Sequence, residues 1–166
     1  MDTNWKSIIW HQFGASIDML ENAIIDCPDK VWGDKLGFQE FWYISYHTLF
    51  FLDYYMSETD KNFNPPKPFT LGELDPAGVL PDRVYSKEEL LKYLEYGREK
   101  SRRAIGDMTE EKAKQPCGFE RKDFTVAELY LYNMRHVQHH AAQLNILLRQ
   151  KIDSAPGWVS QTKIKM

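Results

Sequence analysis

Three of the chain's five histidines, His136, His139 and His140, stand within five residues of one another in a segment of helical pattern. Imidazoles four residues apart lie almost one above the other on an α-helix, so His136 and His140 can grip one metal ion together. His47 lies in a separate and strongly apolar run, Phe41-Trp42-Tyr43-Ile44-Ser45-Tyr46-His47-Thr48-Leu49-Phe50-Phe51-Leu52. An imidazole in dry surroundings demands a polar partner, and apolar stripes offer few. The expected site is therefore a divalent ion held by His47, His136 and His140. Three neutral imidazoles leave such an ion doubly positive and with open positions, as in catalytic rather than closed structural sites. It could lower the pKa of a bound water or thiol, or polarise a carbonyl.

Helices must position these groups. Leu129, Tyr132, His136, His140, Gln143 and Leu147 step by three and four, which predicts that they share one inward face. His140 lies about 40° round the helix from His136, on the side of Leu129 and Leu147, and His139 lies about 60° away on the other side. His140 is therefore the expected ligand, and His139 a flank residue or an outer partner. Tyr43 and Tyr54 fall within about 40° of His47, and Tyr132 lies a turn before His136. These three tyrosines are candidates to line the pocket, or else core aromatics with a wet hydroxyl. His11 falls opposite the apolar stripe of the first helix and is expected at the surface.

Four long helices follow from periodicity and punctuation. The first runs from Thr3 to Asp26, with Thr3 or Asn4 as cap and Pro28 at the exit. The second spans Phe38 to Ser57 and is apolar nearly all round, which predicts deep burial. Ser86 and Glu89 form a capping box that opens a third helix, ending near Met108, with Leu90, Leu94, Gly97, Ser101, Ile105 and Met108 inward. Residues 110–115 add a short helical turn. Thr125 and Glu128 form a second capping box, opening a last helix that runs to Lys151. The tail beyond it is expected to pack back through Trp158. Residues 58–85 carry five prolines and no periodicity. So long a connection can run the length of a bundle and set the next helix parallel to the last; it could also wall a pocket through Phe63, Phe69 and Leu71.

The run from His136 to Arg149, His-Val-Gln-His-His-Ala-Ala-Gln-Leu-Asn-Ile-Leu-Leu-Arg, resembles the signature helix of the DinB-like (DinB/YfiT) superfamily. In that family the last bundle helix carries His-x-x-x-His, then Gln-Leu and an Arg, and the second helix carries the third ligand, matched by His47. The likeness covers essentially the whole chain as a single domain, 1–166. It departs at Ala141-Ala142, where many relatives have Arg-Gly, which leaves no Arg there to contact an anion. The resemblance implies an all-α, up-down-down-up four-helix bundle with the long crossover between helices 2 and 3. It also implies a divalent ion, zinc or nickel, and a homodimer as in many relatives. The leading activity it implies is that of a thiol S-transferase or isomerase, with a low-molecular-weight thiol as cosubstrate and a small-molecule substrate. A metal-dependent hydrolase, and a non-catalytic bundle stapled by its metal, are the alternatives. No carboxylate on the inward stripes offers itself as a hydrolase's general base.

Composition narrows the classes further. Apolar residues make up 43% and charged residues 27% of the 166-residue chain, as in ordinary globular proteins. Aromatics reach 14%, enough for a dense core or an aromatic-walled pocket. A net charge of −3 without a long basic run argues against nucleic acid. No run approaches the roughly 18 apolar residues of a membrane span. Cys27 and Cys117 form no Cys-x-x-Cys motif and are expected as free thiols. The N-terminus lacks a signal-peptide core, so the expected location is the cytoplasm.

Overall fold

The computed structural model describes residues 3–37, 39–120 and 122–166. Phe38, expected to open the second helix, and the side chains of Thr3 and Asn4, expected to cap the first, lie outside the described residues. The fold is all-α apart from one minimal strand pair. Helix α1 spans Thr3–Asp26, α2 Phe41–Tyr55, α3 Lys87–Gly106, α4 Glu110–Lys114 and α5 Val126–Ile152. Strands β1 (Lys35–Leu36) and β2 (Gln39–Glu40) pair antiparallel. They hold the chain extended up to Glu40, so α2 begins at Phe41. Both capping boxes form as expected: Ser86 with Glu89, and Thr125 with Glu128. Each satisfies two amide N–H groups that the first helical turn would otherwise leave unpaired. No described helix is long and apolar enough to cross a membrane.

Each of α1 and α2 packs against both α3 and α5. The cross-links give the directions. Lys6 Nζ donates to the Gly106 carbonyl at 2.7 Å, and Lys87 Nζ to the Cys27 carbonyl at 2.5 Å. The start of each of α1 and α3 thus meets the end of the other, and the two run antiparallel. Against α2, Tyr93 Oη donates to Asp53 Oδ2 at 3.0 Å and Lys100 Nζ to Ser57 Oγ at 2.7 Å, so α3 runs parallel to it. On α5, His140 sits beside His47, His136 beside Phe51, and Tyr132 beside Tyr55, an antiparallel pairing.

The core is filled by Trp10, Phe13, Ile17, Leu20 and Ile24 of α1, with Phe41, Phe50 and Leu52 of α2 and Leu90 and Leu94 of α3. Trp5, a four-residue step before Ile9 in the apolar stripe of the first helix, is 60% exposed, and the fully buried residues of α1 begin at Trp10. Gly97 belongs to a tight seam: a Cβ there would stand 2.9 Å from Leu52 Cδ2. The two thiols are free and buried, and burial pushes that of Cys27 up to about 12.

The 58–85 connection has only a single turn of 3-10 helix, Leu71–Leu74. It buries Phe63 and Phe69, whereas Leu71 is 44% exposed. The C-terminal tail does pack back, but not through Trp158, which is 73% exposed. Its anchor is Thr162, whose amide donates to the His11 carbonyl at 3.0 Å.

Candidate metal centre

His47, His136 and His140 come together where α2 faces α5, with one nitrogen from each lying within 4.8 Å of the others. His11 lies on α1 outside this group, and it is the carbonyl of its backbone that holds the tail. His139 is an exposed flank, its ring 5.1 Å from that of His140.

Burial departs from expectation. The deeply buried face of α5 is Tyr130, Asn133, Val137, Ala141, Leu144 and Leu148, and His136 and His140 lie on its edge. Val137 stands about 100° round the helix from His136. Leu129 and Leu147, from which the face was inferred, are buried too, but they mark its boundary. On α2 the side chain of His47 is 24% exposed, not sealed in the core. It shares the half-buried stripe of Tyr43, Phe51 and Tyr54 on an otherwise buried helix. The cluster therefore sits at the rim of the core.

Two residues outside the expected set orient the imidazoles. Glu73, on the 3-10 turn of the long connection, accepts a bond from His47 Nδ1 at 2.7 Å, and its own side chain is only 3% exposed. Gln143, one turn beyond His140, accepts from His140 Nδ1 at 2.6 Å through Oε1. With Nδ1–H donating outward, each ring presents the lone pair of Nε2 to the cluster. Gln143 was legible as an i,i+3 neighbour. Glu73 was not, being 26 residues from His47 in a stretch without periodicity.

His140 Nε2 and His136 Nε2 face each other at 3.1 Å. Two such lone pairs repel unless a proton or a cation lies between them. Burial, reinforced by the neighbouring imidazoles, lowers His136 to about 3 and burial lowers His140 to about 4. The imidazolium is thus disfavoured at neutral pH: between two neutral rings either the Nε2–H of His136 donates to His140 or a divalent cation takes both lone pairs, and the donor set suits the cation. Nitrogens each about 2.0–2.1 Å from a tetrahedral ion lie roughly 3.3 Å apart. The residues fit a metal.

Aromatic rings enclose the cluster. Phe51 lies 4.8 Å from the His47 ring and 5.7 Å from that of His136, and Tyr55 stands 6.3 Å from His136. Of the expected tyrosines, Tyr43 is beside the site, its ring 6.3 Å from His47. Burial and the nearby Glu73 carboxylate hold its hydroxyl well above the usual phenol range. Tyr132 packs on Tyr55, and the ammonium of Lys122 stands 4.0 Å from its ring centre. Tyr54 instead stacks among Phe50, Phe63 and Phe119, away from the histidines.

A helical fold with paired imidazoles on α5 and a third on α2 defines a class of protein, and the comparison with families names it. The family model of the DinB superfamily matches residues 12–144, a span that holds all three histidines as well as Glu73 and Gln143. The chain belongs to the DinB superfamily. No curated protein and no solved structure gives a match.

Proposed function

We propose that the protein is a metal-dependent enzyme, its divalent ion held by Nε2 of His47, His136 and His140 within an up-down-down-up four-helix bundle. The observation that carries the reading is the convergence of three imidazole nitrogens within 4.8 Å, two of them aimed by Glu73 and Gln143. Membership of the DinB superfamily supports it, and the helix directions described above support the bundle topology. Imidazole donors suit zinc or nickel.

When bound, the ion supplies Lewis acidity at its open positions. The chain's own residues prepare the site. Glu73 fixes the tautomer of His47 and places a negative charge behind it, which strengthens that nitrogen as a donor. Tyr43 keeps its proton and remains a hydrogen-bond donor beside the carboxylate. Phe51 and Tyr55 shield the imidazoles from water on the α2 side.

Among reactions, transfer or isomerisation with a low-molecular-weight thiol ranks first, in keeping with the family resemblance. Hydrolysis ranks second: among the described residues the carboxylate at the cluster is Glu73, and it is engaged on the outer nitrogen of His47. A non-catalytic staple is the third reading. Elemental analysis of His47→Ala, His136→Ala, His140→Ala and His11→Ala tests the metal site that all three readings share. Loss of stoichiometric metal is expected in the first three and not in the last; the reverse pattern overturns the assignment. Addition of bacillithiol, mycothiol or glutathione to a generic electrophile by the metal-loaded protein then tests the transferase. Its absence leaves the metal site standing and removes that reaction.

A further inference from the structure

A groove of about 610 Å³ lies against α1, α5 and the C-terminal tail and reaches the metal centre at His136. Its lining includes Met134, Trp158 and Val159, the ring of Tyr132, and Arg135. Arg135 is the one residue of this lining with a permanent charge, and among the described residues it has no ion pair.

The tail wall is firmly built. Val159 N–H donates to Met19 Sδ at 3.2 Å, Gln12 Nε2 to the Ser160 carbonyl at 3.1 Å, and Trp10 Nε1 to the Ile164 carbonyl at 2.7 Å. Gly14 admits Thr162 so closely that a Cβ would stand 2.5 Å from its Cγ2. On this pinned segment Trp158 is 73% exposed, and among the described residues no aromatic ring packs on it. An indole fixed through its neighbours but bare on its faces is a ready platform for an apolar body. The wall lies beyond residues 12–144, the span that the family model matches.

We propose that the groove binds a small amphipathic carboxylate. The guanidinium of Arg135 presents a planar fork of donors that matches a carboxylate with two parallel bonds. One uncompensated cation favours a monoanion, and Trp158, Met134 and Val159 receive its apolar part. The volume falls in the range of small-molecule sites. Binding here does not require the metal.

Hexanoate, hexan-1-ol and hexylammonium, titrated into the metal-free full chain, provide the test, read by calorimetry and by Trp158 emission. Chelation beforehand removes direct ligation of the carboxylate by the ion. Hexanoate is expected to bind and to move an emission signal that is absent in Trp158→Phe. Arg135→Ala should weaken it about tenfold, the effect of losing a charge-assisted contact, and Arg135→Lys should recover part of that. Hexan-1-ol should bind more weakly and be indifferent to residue 135. The proposal falls if Arg135→Ala leaves hexanoate unchanged, or if hexylammonium binds as well. It falls too if Trp158 emission depends on protein concentration without ligand, which would mean that a second copy covers the groove.

Discussion

His47 and Glu73 show how a single contact sets the chemistry of the site. The carboxylate fixes which nitrogen of His47 is free, and it does so from a loop rather than from a helix. Glu73→Gln preserves size and an acceptor but removes the charge. Zinc affinity should fall about 10- to 100-fold, as for outer partners of metal-bound histidines; competition with a chromogenic chelator measures it, and an unchanged affinity would remove Glu73 from the site. A pH dependence belongs to the same scale. His136 and His140 are lowered in the fold, to about 3 and about 4, from the ordinary 6.5. The unfolded chain takes up protons first as pH falls, so the metal-free protein keeps this stability above about pH 6.5 and loses it progressively below. Denaturant midpoints at neutral pH and at about pH 4.5 should differ more in the wild type than in a His136→Ala, His140→Ala double variant.

At the scale of elements, α2 is organised by its least buried stripe. Tyr43, His47, Phe51 and Tyr54 are half-buried while the rest of the helix is nearly all core, so the face that carries His47 is the one that escapes the packing. Its opposite side is sealed on α3 at Gly97. Gly97→Ala gains roughly 1 kcal/mol in helix propensity, but it forces a methyl against the fully buried Leu52, and overpacking costs about 1–3 kcal/mol. We expect a net loss of about 1 kcal/mol in denaturant unfolding; a gain would mean that the α2–α3 seam has slack. Thr125 caps the helix that carries two proposed ligands. Thr125→Ala should lower stability by about 1 kcal/mol, measured the same way, and Thr125→Ser should restore most of it.

For the whole molecule, the proposed ligands join α2 to α5, elements far apart in the chain. An ion bound only by the folded state stabilises it in proportion to the logarithm of its excess, about 4 kcal/mol at a thousandfold over the dissociation constant. Thermal unfolding should therefore shift upward with added zinc and return on chelation, and His47→Ala should abolish the shift.

Most of the long helices, both capping boxes and the pairing of His136 with His140 were legible in the sequence because they rest on local spacing, which one turn of helix converts directly into geometry; His47 was singled out by its apolar surroundings and by the family resemblance. Which face of α5 is buried was not, since Leu129 and Leu147 belong equally to the core and to its edge, and only the packing of α1 and α2 decides between them. The role of Glu73, the outward setting of Trp158 and the groove beneath it were likewise invisible. They arise where segments distant in sequence meet, and no periodicity along the chain encodes such a meeting.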